Sequence, residues 1–575
     1  MKFDHNSLKK ILLIDLVVIL SIVIVIPLVL DLFGLNIKML VISFLSNLLI
    51  IFTIIITVVD LFYLIKVKRN FYLLSSISMS FTISFFLLLE YCFLNDYYNF
   101  IYVWSYSKST LPIVYKIVAI WAGEAGSIMT WMLFNSIIIF FYRLKNQNKD
   151  DIIFMISVII SLVISSVFLI ILFSYDPFQM ETPIIYPNGL GLNPLLISPF
   201  MIWHPLFTFI AYATFLIPFT VSIIRILSPN QSLQNPYQKS FYDFSLKFGW
   251  LVLTLSIGLG AYWAKTALTW GRYWGWDPVE IVSLIPWFFG TAYFHTITFK
   301  KTNSKLVKIN GILIFLSIVF STLITRGGGL TSLHAFTGES NLIIWTLIVG
   351  SILVGFSLYV IYETFNSLSE NYKKVRLFLD YLSYLCLFML ALVCIFGLLI
   401  SPLTYFLSLF SNINILYVGT DYFILTTLIL ASVLATSLVF CSLYGTYKLK
   451  VIAIILVIGG IVQTIISFVV FSISGVWINP VISIFIVALL SSILKLIKDF
   501  DKNTGLKQYF RVNSKTYVHI GLSLILIGTL IDPGVWIFQD IFYISGFIFF
   551  MSGIIPSIFI FFFFRKNKLK RKSME

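Results

Sequence analysis

Charge is what this sequence has least of. Only 11% of its 575 residues are Asp, Glu, Lys or Arg, against roughly 25% in an average soluble domain, while 59% are hydrophobic. A water-soluble fold is excluded on that balance. Cysteine is scarce as well: Cys92, Cys386, Cys394 and Cys441 are scattered in or beside apolar runs, with no CxxC pair and no CxxCH haem-attachment motif. The chain therefore carries no covalent haem of its own and offers no dithiol chemistry. Low-complexity tracts, internal repeats and any stretch resembling a large soluble domain are missing too.

What remains is a succession of apolar runs, each about the 20 residues that a hydrocarbon core of about 30 Å demands of a helix. The first, from Ile11, continues for about twenty residues with no small-residue cleavage site after it, so it reads as a span and not as a signal peptide. The pattern predicts an all-α polytopic membrane protein: a single integral membrane domain over 1–575 with about 16 transmembrane helices. Their expected ranges are 11–31, 40–65, 71–95, 113–142, 152–174, 201–226, 245–264, 281–299, 307–325, 342–362, 378–400, 421–441, 449–471, 476–497, 514–531 and 538–564.

With the N-terminus set in the cytoplasm, all but six of the 39 Lys and Arg residues fall in the cytoplasmic connections or tails. The positive-inside rule then places both termini in the cytoplasm. The formal charge of +15 is thus a topology signal, and no nucleic-acid partner is expected. The six exceptions are Lys38, Lys108, Lys116, Lys265, Arg272 and Arg326, on or near the outer side, where the long polar connections 96–112, 175–200, 265–280 and 326–341 also lie.

Four of the five histidines pair by depth. His295 and His519 each fall roughly 6–8 Å inside the inner boundary of their helices, whereas His204, in MIWHP, and His334, in TRGGGLTSLHAF, belong to the outer side. An ionisable residue within a membrane helix is costly and by default functional. A structural hydrogen bond is the alternative for either inner histidine. Two at matched depth suit axial ligation of a b-type haem better than zinc, since no Cys, Asp or Glu adjoins them.

The outer connection WGRYWGWDPVE, residues 270–280, gathers Trp270, Tyr273, Trp274 and Trp276 with Arg272. Two uses fit these rings: the aromatic belt of a membrane interface, or a flat platform for a porphyrin, whose propionates would find cations in Arg272, Lys265 and Arg326. Asp277-Pro278-Val279-Glu280 has the order of a helix start, Asp at N-cap, Pro at N1 and Glu at N3. Arg326-Gly327-Gly328-Gly329 reads as a flexible turn leading to His334.

WGRYWGWDPVE resembles the WWD signature of haem-handling proteins. Together with GLNPLLISPFMIWHP, TRGGGLTSLHAF, YVHIGLSLILIG, FFGTAYFHT and LPIVYKIVAIWAGEAGS (111–127), it is similar to the CcmF/NrfE-type haem lyase subunits of cytochrome c maturation. The resemblance implies that His204 and His334 are external ligands of a haem awaiting attachment, displayed on a WWD loop at 265–280 by Trp270, Tyr273, Trp274 and Trp276, with Arg272 and Arg326 towards its propionates. It implies that His295 and His519 hold a haem b that passes electrons, from quinol, to the incoming iron. The implied partners are a haem chaperone, an apocytochrome c with a CxxCH motif, thiol-reducing maturation proteins and membrane lipid. The implied location is the energy-coupling plasma membrane, with the active face outside. A non-catalytic haem exporter is the rival function; about 22 Å of helix between inner and outer histidines, with no ligand between, counts against it. A quinone-linked proton pump would require several acidic or lysine side chains in mid-helix, and few are present. Tyr273 and Gly275 stand where the family more often has Trp and Phe, and Glu124 and Ala125 replace a usual polar-acidic pair. Only a short turn precedes the last helix, where many relatives carry an external domain.

Overall fold

A computed structural model describes residues 5–145, 151–181, 187–228, 236–267, 271–296, 304–326, 342–371, 374–444, 447–474, 481–500, 506–531 and 536–572. Almost all of them are helical, with only two isolated β-bridges. Within hydrocarbon no water can satisfy a backbone N–H or C=O, so apolar segments form helices that bond internally. Many hydroxyls obey the same constraint by returning to the carbonyl four residues back, as Thr53 does to Leu49 and Thr57 to Thr53.

The fold has two compact units, residues 1–259 and 260–575. The first contains α1 (His5–Leu20), α2 (Ile26–Leu30), α3 (Leu35–Val67), α4 (Tyr72–Leu94), α5 (Ile101–Tyr106), α6 (Ile113–Val118), α7 (Glu124–Lys145), α8 (Ile152–Tyr175), α9 (Phe200–Thr214), α10 (Leu216–Leu227) and most of α11 (Pro236–Ala267). Here α3 packs on α4 and α8, and α7 packs on α4, α8 and α9. The second contains α12 (Pro278–His295), α13 (Ser304–Arg326), α14 (Ile343–Asn371), α15 (Val375–Ser408), α16 (Thr420–Leu443), α17 (Leu449–Ser474), α18 (Ile482–Phe500), α19 (Leu506–Leu530) and α20 (Trp536–Lys572). In that unit α12 packs on α13 and α15, and α19 packs on α18 and α20.

Thirteen of the described helices are long and apolar enough to cross a membrane. The other three expected spans are helices too, α12, α18 and α19. They are more polar: α12 opens with two carboxylates, and α18 and α19 carry lysines near one end. The chain is an integral, all-helical, polytopic membrane protein, as its composition requires.

Two expected helices are interrupted. Residues 11–31 contain a π-helical segment, Ser21–Val25, next to Pro27, whose missing N–H and ring disturb the preceding turn. The expected helix 113–142 breaks at Ala119–Trp121, a 3₁₀ turn, before α7 begins at Glu124. The Tyr102 hydroxyl sits in that break. It accepts the N–H groups of Gly123 and Gly126, both at 3.1 Å, and donates to Ile120 O at 2.8 Å. A Cβ at Gly126 would lie 1.6 Å from Ile120 O, so the turn closes only around glycine.

Arg143 departs from expectation. Counted among the basic residues of a connection, it is wholly buried, with Asp60 1% exposed beside it. Its guanidinium forms an ion pair with Asp60, its Nη1 donates to Ser75 Oγ at 2.6 Å, and its Nε donates to Asn70 Oδ1 at 2.9 Å. Asn70 returns a bond to Arg143 O at 3.0 Å. The cluster ties α7 to α3 and α4. Removing one member of a buried pair strands the other charge, at a cost of about 3–5 kcal/mol. Asp60→Ala should therefore sharply lower the thermal unfolding temperature in detergent, and adding Arg143→Met should recover most of the loss; an unchanged melt for the single variant would show that the pair does not hold these helices.

Candidate functional site

His204 lies in the first turns of α9, followed by Pro205. A proline inside a helix cannot bond the carbonyl four residues back, which here is Met201 O. Trp121 Nε1 donates to that oxygen at 3.1 Å. The segment 111–127 is thereby tied to the helix that carries His204. On the ring itself, Nδ1 is 2.8 Å from Ser256 O on α11. A carbonyl only accepts, so Nδ1 carries the proton and Nε2 presents its lone pair away from Ser256. A second bond, from Ser256 Oγ to His204 O at 3.1 Å, holds the same two helices together. This is the arrangement by which proteins fix the tautomer and direction of a metal-binding imidazole.

In the second unit the aromatic loop is described from Gly271 onward. Its rings are not equivalent. Tyr273 is fully buried in a cluster with Ala261 and Tyr543, its ring stacked on Tyr543 at 3.7 Å between centroids. Its hydroxyl donates to Asp540 Oδ1 at 2.6 Å, Lys265 forms an ion pair with the same carboxylate, and the ammonium lies 4.5 Å from the Tyr273 ring centroid. Burial first, then the hydrogen bond to Asp540 and its charge, raises the Tyr273 phenol above its ordinary range, so it remains a neutral donor. Tyr273, expected on the platform, is directed into the helix packing, and Lys265, one of the outer cations, already has a carboxylate.

Trp274 and Trp276 are half-buried and meet edge to face at 6.1 Å, and Trp276 is parallel to Phe423 within 10°. Trp276 has φ +58°, a left-handed conformation that costs a bulky residue on the order of 1–3 kcal/mol. Glu280 holds it there: Oε2 accepts the N–H of Gly275 at 2.8 Å and of Asp277 at 3.3 Å, one on each side of Trp276. Asp277 in turn accepts the Val279 N–H at 3.3 Å, so the expected capping box is formed, with Pro278 at N1. The carboxylates of the motif thus shape the loop. Arg272 is exposed, with no ion pair among the described residues.

His295 is the last residue of α12 and His519 lies in the middle of α19; both are half-buried and within electrostatic range of one another. The helices that carry them pack chiefly on other neighbours. Among the described residues no three His, Cys, Asp or Glu side chains converge as a metal site. The donor set here is therefore two imidazoles, which fits axial ligation of a haem and not a tetrahedral zinc. His334 and Trp270 lie outside the described residues, as does the side chain of Arg326, whose backbone ends α13. Sequence reasoning missed Asp540, Ser256 and Trp121; only Asp540, an isolated acid in an apolar run, carried a signal that could have found it. Asp540→Ala should loosen the loop and increase tryptic cleavage after the exposed Arg272, and Tyr273→Phe should cost about 1.5–3 kcal/mol for a hydrogen bond to a charged group, read as a lower unfolding midpoint.

Residues 121–332 match the family model described as cytochrome C assembly protein. The chain is 33% identical to the cytochrome c-type biogenesis protein CcmF of Escherichia coli (strain K12), over 44% of this chain and 39% of the relative. It is 34% identical to the cytochrome c-type biogenesis protein NrfE of Haemophilus influenzae, over 43% and 39%. The alignments therefore cover about two fifths of either relative. A solved structure titled cytochrome c heme lyase CcmF shares the fold at a TM-score of 0.62 and 16% identity, covering 85% of this chain and 76% of that one. Over residues 121–332 the chain is similar to the cytochrome c assembly protein family, and the CcmF/NrfE-type resemblance read from the sequence is borne out.

Proposed function

We propose that this protein is the membrane subunit of a cytochrome c haem lyase, acting on the outer side of the plasma membrane and working with partner proteins. The observation that carries the proposal is the His204 imidazole, held by Ser256 O in the tautomer that offers Nε2, within the segment that matches the family. His204 and His334 would grip the iron of a substrate haem delivered by a haem chaperone. Trp270, Trp274 and Trp276 would lie against its macrocycle, and Arg272 and Arg326 would meet its propionates. Tyr273 would serve the same loop from beneath, through Asp540.

The reaction adds an apocytochrome thiol across each haem vinyl group. Sulfur bonds to one vinyl carbon and hydrogen to the other, with no leaving group. The protein's contribution is then placement of two reactants, an effect that can supply several kcal/mol of the barrier. Thiol-reducing maturation proteins would keep the CxxCH cysteines available for this addition.

His295 and His519 would hold a haem b, which when bound would supply electrons from quinol to keep the substrate iron ferrous. In support, His295 ends α12, His519 lies within α19, and each imidazole is within electrostatic range of the other.

Reduced-minus-oxidised spectra of the detergent-purified protein should show a b-type signal that is lost in both His295→Ala and His519→Ala; a normal signal in either variant refutes the inner site. Co-expressed with a CxxCH apocytochrome, His204→Ala should lower covalent haem product at least tenfold, and Ser256→Ala, which keeps the carbonyl that orients the ring and loses only the hydroxyl contacts, should cost far less. Undiminished product from His204→Ala would sink the ligand role.

A further inference from the structure

A cavity of about 260 Å³ lies between α3 and α8, both long and apolar enough to cross the membrane. Its lining has two parts: an apolar wall of Phe44, Leu48, Ile51 and Phe173, and a polar corner of Asn47 and Asp176. Phe44 and Phe173 are exposed, so the apolar wall is open to lipid. In the corner, Asn47 Nδ2 donates to Asp176 Oδ1 at 3.2 Å, and Asn47 Oδ1 is buried with no hydrogen-bond partner. A carboxylate only accepts, so the amide nitrogen must face Asp176 and the amide oxygen is left as a second acceptor. Asp176 is the C-cap of α8, in a left-handed conformation with φ +37°. The last carbonyls of a helix make that end partly negative, yet the last turn of α8 has no basic residue, and the connection 175–200 has neither Lys nor Arg and adds Glu181. The nearby cations on this side are engaged elsewhere: Lys38 pairs with Asp31, Lys116 pairs with Asp96, and the stem of Lys108 lies against Gly191. Among the described residues Asp176 forms no ion pair.

A carboxylate beside an amide oxygen, at the negative end of a helix and the edge of hydrocarbon, calls for a cation that donates more than one hydrogen bond. A calcium ion would need six to eight oxygens and finds too few here. Water would satisfy the acceptors and leave both the charge and the apolar wall uncovered. A primary ammonium brings a full charge and three N–H donors, and an acyl chain matches the wall. A quaternary ammonium brings the charge and none of the donors.

We propose that this cavity binds an amine-headed phospholipid of the phosphatidylethanolamine type, with its ammonium on Asp176 and Asn47 Oδ1 and an acyl chain along Phe44, Leu48, Ile51 and Phe173. The bond to the carboxylate is charge-assisted, about twice as strong as a neutral one. The site lies wholly within the first compact unit, on the contact between α3 and α8, and the bound lipid bridges those two helices. It does not depend on the haem reading above.

The test uses the full-length protein, stripped of lipid in detergent and titrated with phosphatidylethanolamine or with phosphatidylcholine of the same acyl chains, bound lipid being counted by native mass spectrometry. The wild type should bind one phosphatidylethanolamine at least tenfold more tightly than phosphatidylcholine. Asp176→Asn, which keeps the shape of the corner and removes the charge, should bind both alike. Ile51→Trp, which fills the cavity and leaves the carboxylate in place, should lose the tight site, so the proposal stays testable if the first variant folds poorly. Glycerophosphoethanolamine, with the amine and no acyl chains, should bind at least tenfold more weakly than the lipid; equal binding would make this a site for soluble amines and sink the lipid assignment. Indifference of the wild type to the headgroup overturns the proposal, and so does a preference that survives in Asp176→Asn or in Ile51→Trp.

Discussion

Three irregular stretches of backbone in this protein are each answered by a side chain, because the bilayer interior offers no water to take freed backbone groups. That constraint organises the structure. Where the 113–142 stretch breaks, the Tyr102 hydroxyl collects two N–H groups and one carbonyl. Where Pro205 leaves Met201 O without a helix partner, Trp121 supplies an N–H. Around the left-handed Trp276, a single oxygen of Glu280 takes the flanking amides. The first two repairs join segments distant in sequence, so the price of irregular backbone is also what ties those segments together.

Seen this way, the polar residues of the aromatic motif divide by task. Asp277 and Glu280 are scaffolding: they start α12 and hold the loop in a conformation it would not adopt unaided. Tyr273 is an anchor, stacked on Tyr543 and bonded to Asp540, and Lys265 completes the anchor. What remains on display is Trp274, Trp276 and the exposed Arg272. These are two indole rings set edge to face beside an outward cation, while Tyr273 supplies the hydroxyl that the anchor to Asp540 needs.

The same contrast separates the two kinds of histidine. His204 is oriented by a backbone carbonyl on a neighbouring helix, which settles its tautomer before any ligand arrives. His295 and His519 lie within electrostatic range of one another on helices that pack chiefly elsewhere. The first arrangement suits a ligand that must come and go at a set angle.

Local information in the sequence determined the class of protein, the helical ranges, the capped start of α12 and the choice of histidines worth attention. Hydropathy, helical period and capping order act over a few residues, and the bilayer enforces them strictly. The breaks at 21–25 and 119–121 were less visible: the first needed one proline weighed against a long apolar run, and the second depended on Tyr102, packed in from another segment. Tertiary structure alone decided that Arg143 is buried against Asp60, that Tyr273 turns inward to a carboxylate 267 residues away, and that the His204 proton faces Ser256. Those outcomes depend on which helices pack together, and in hydrocarbon a polar side chain bonds to whatever the packing brings within reach, regardless of its distance along the chain.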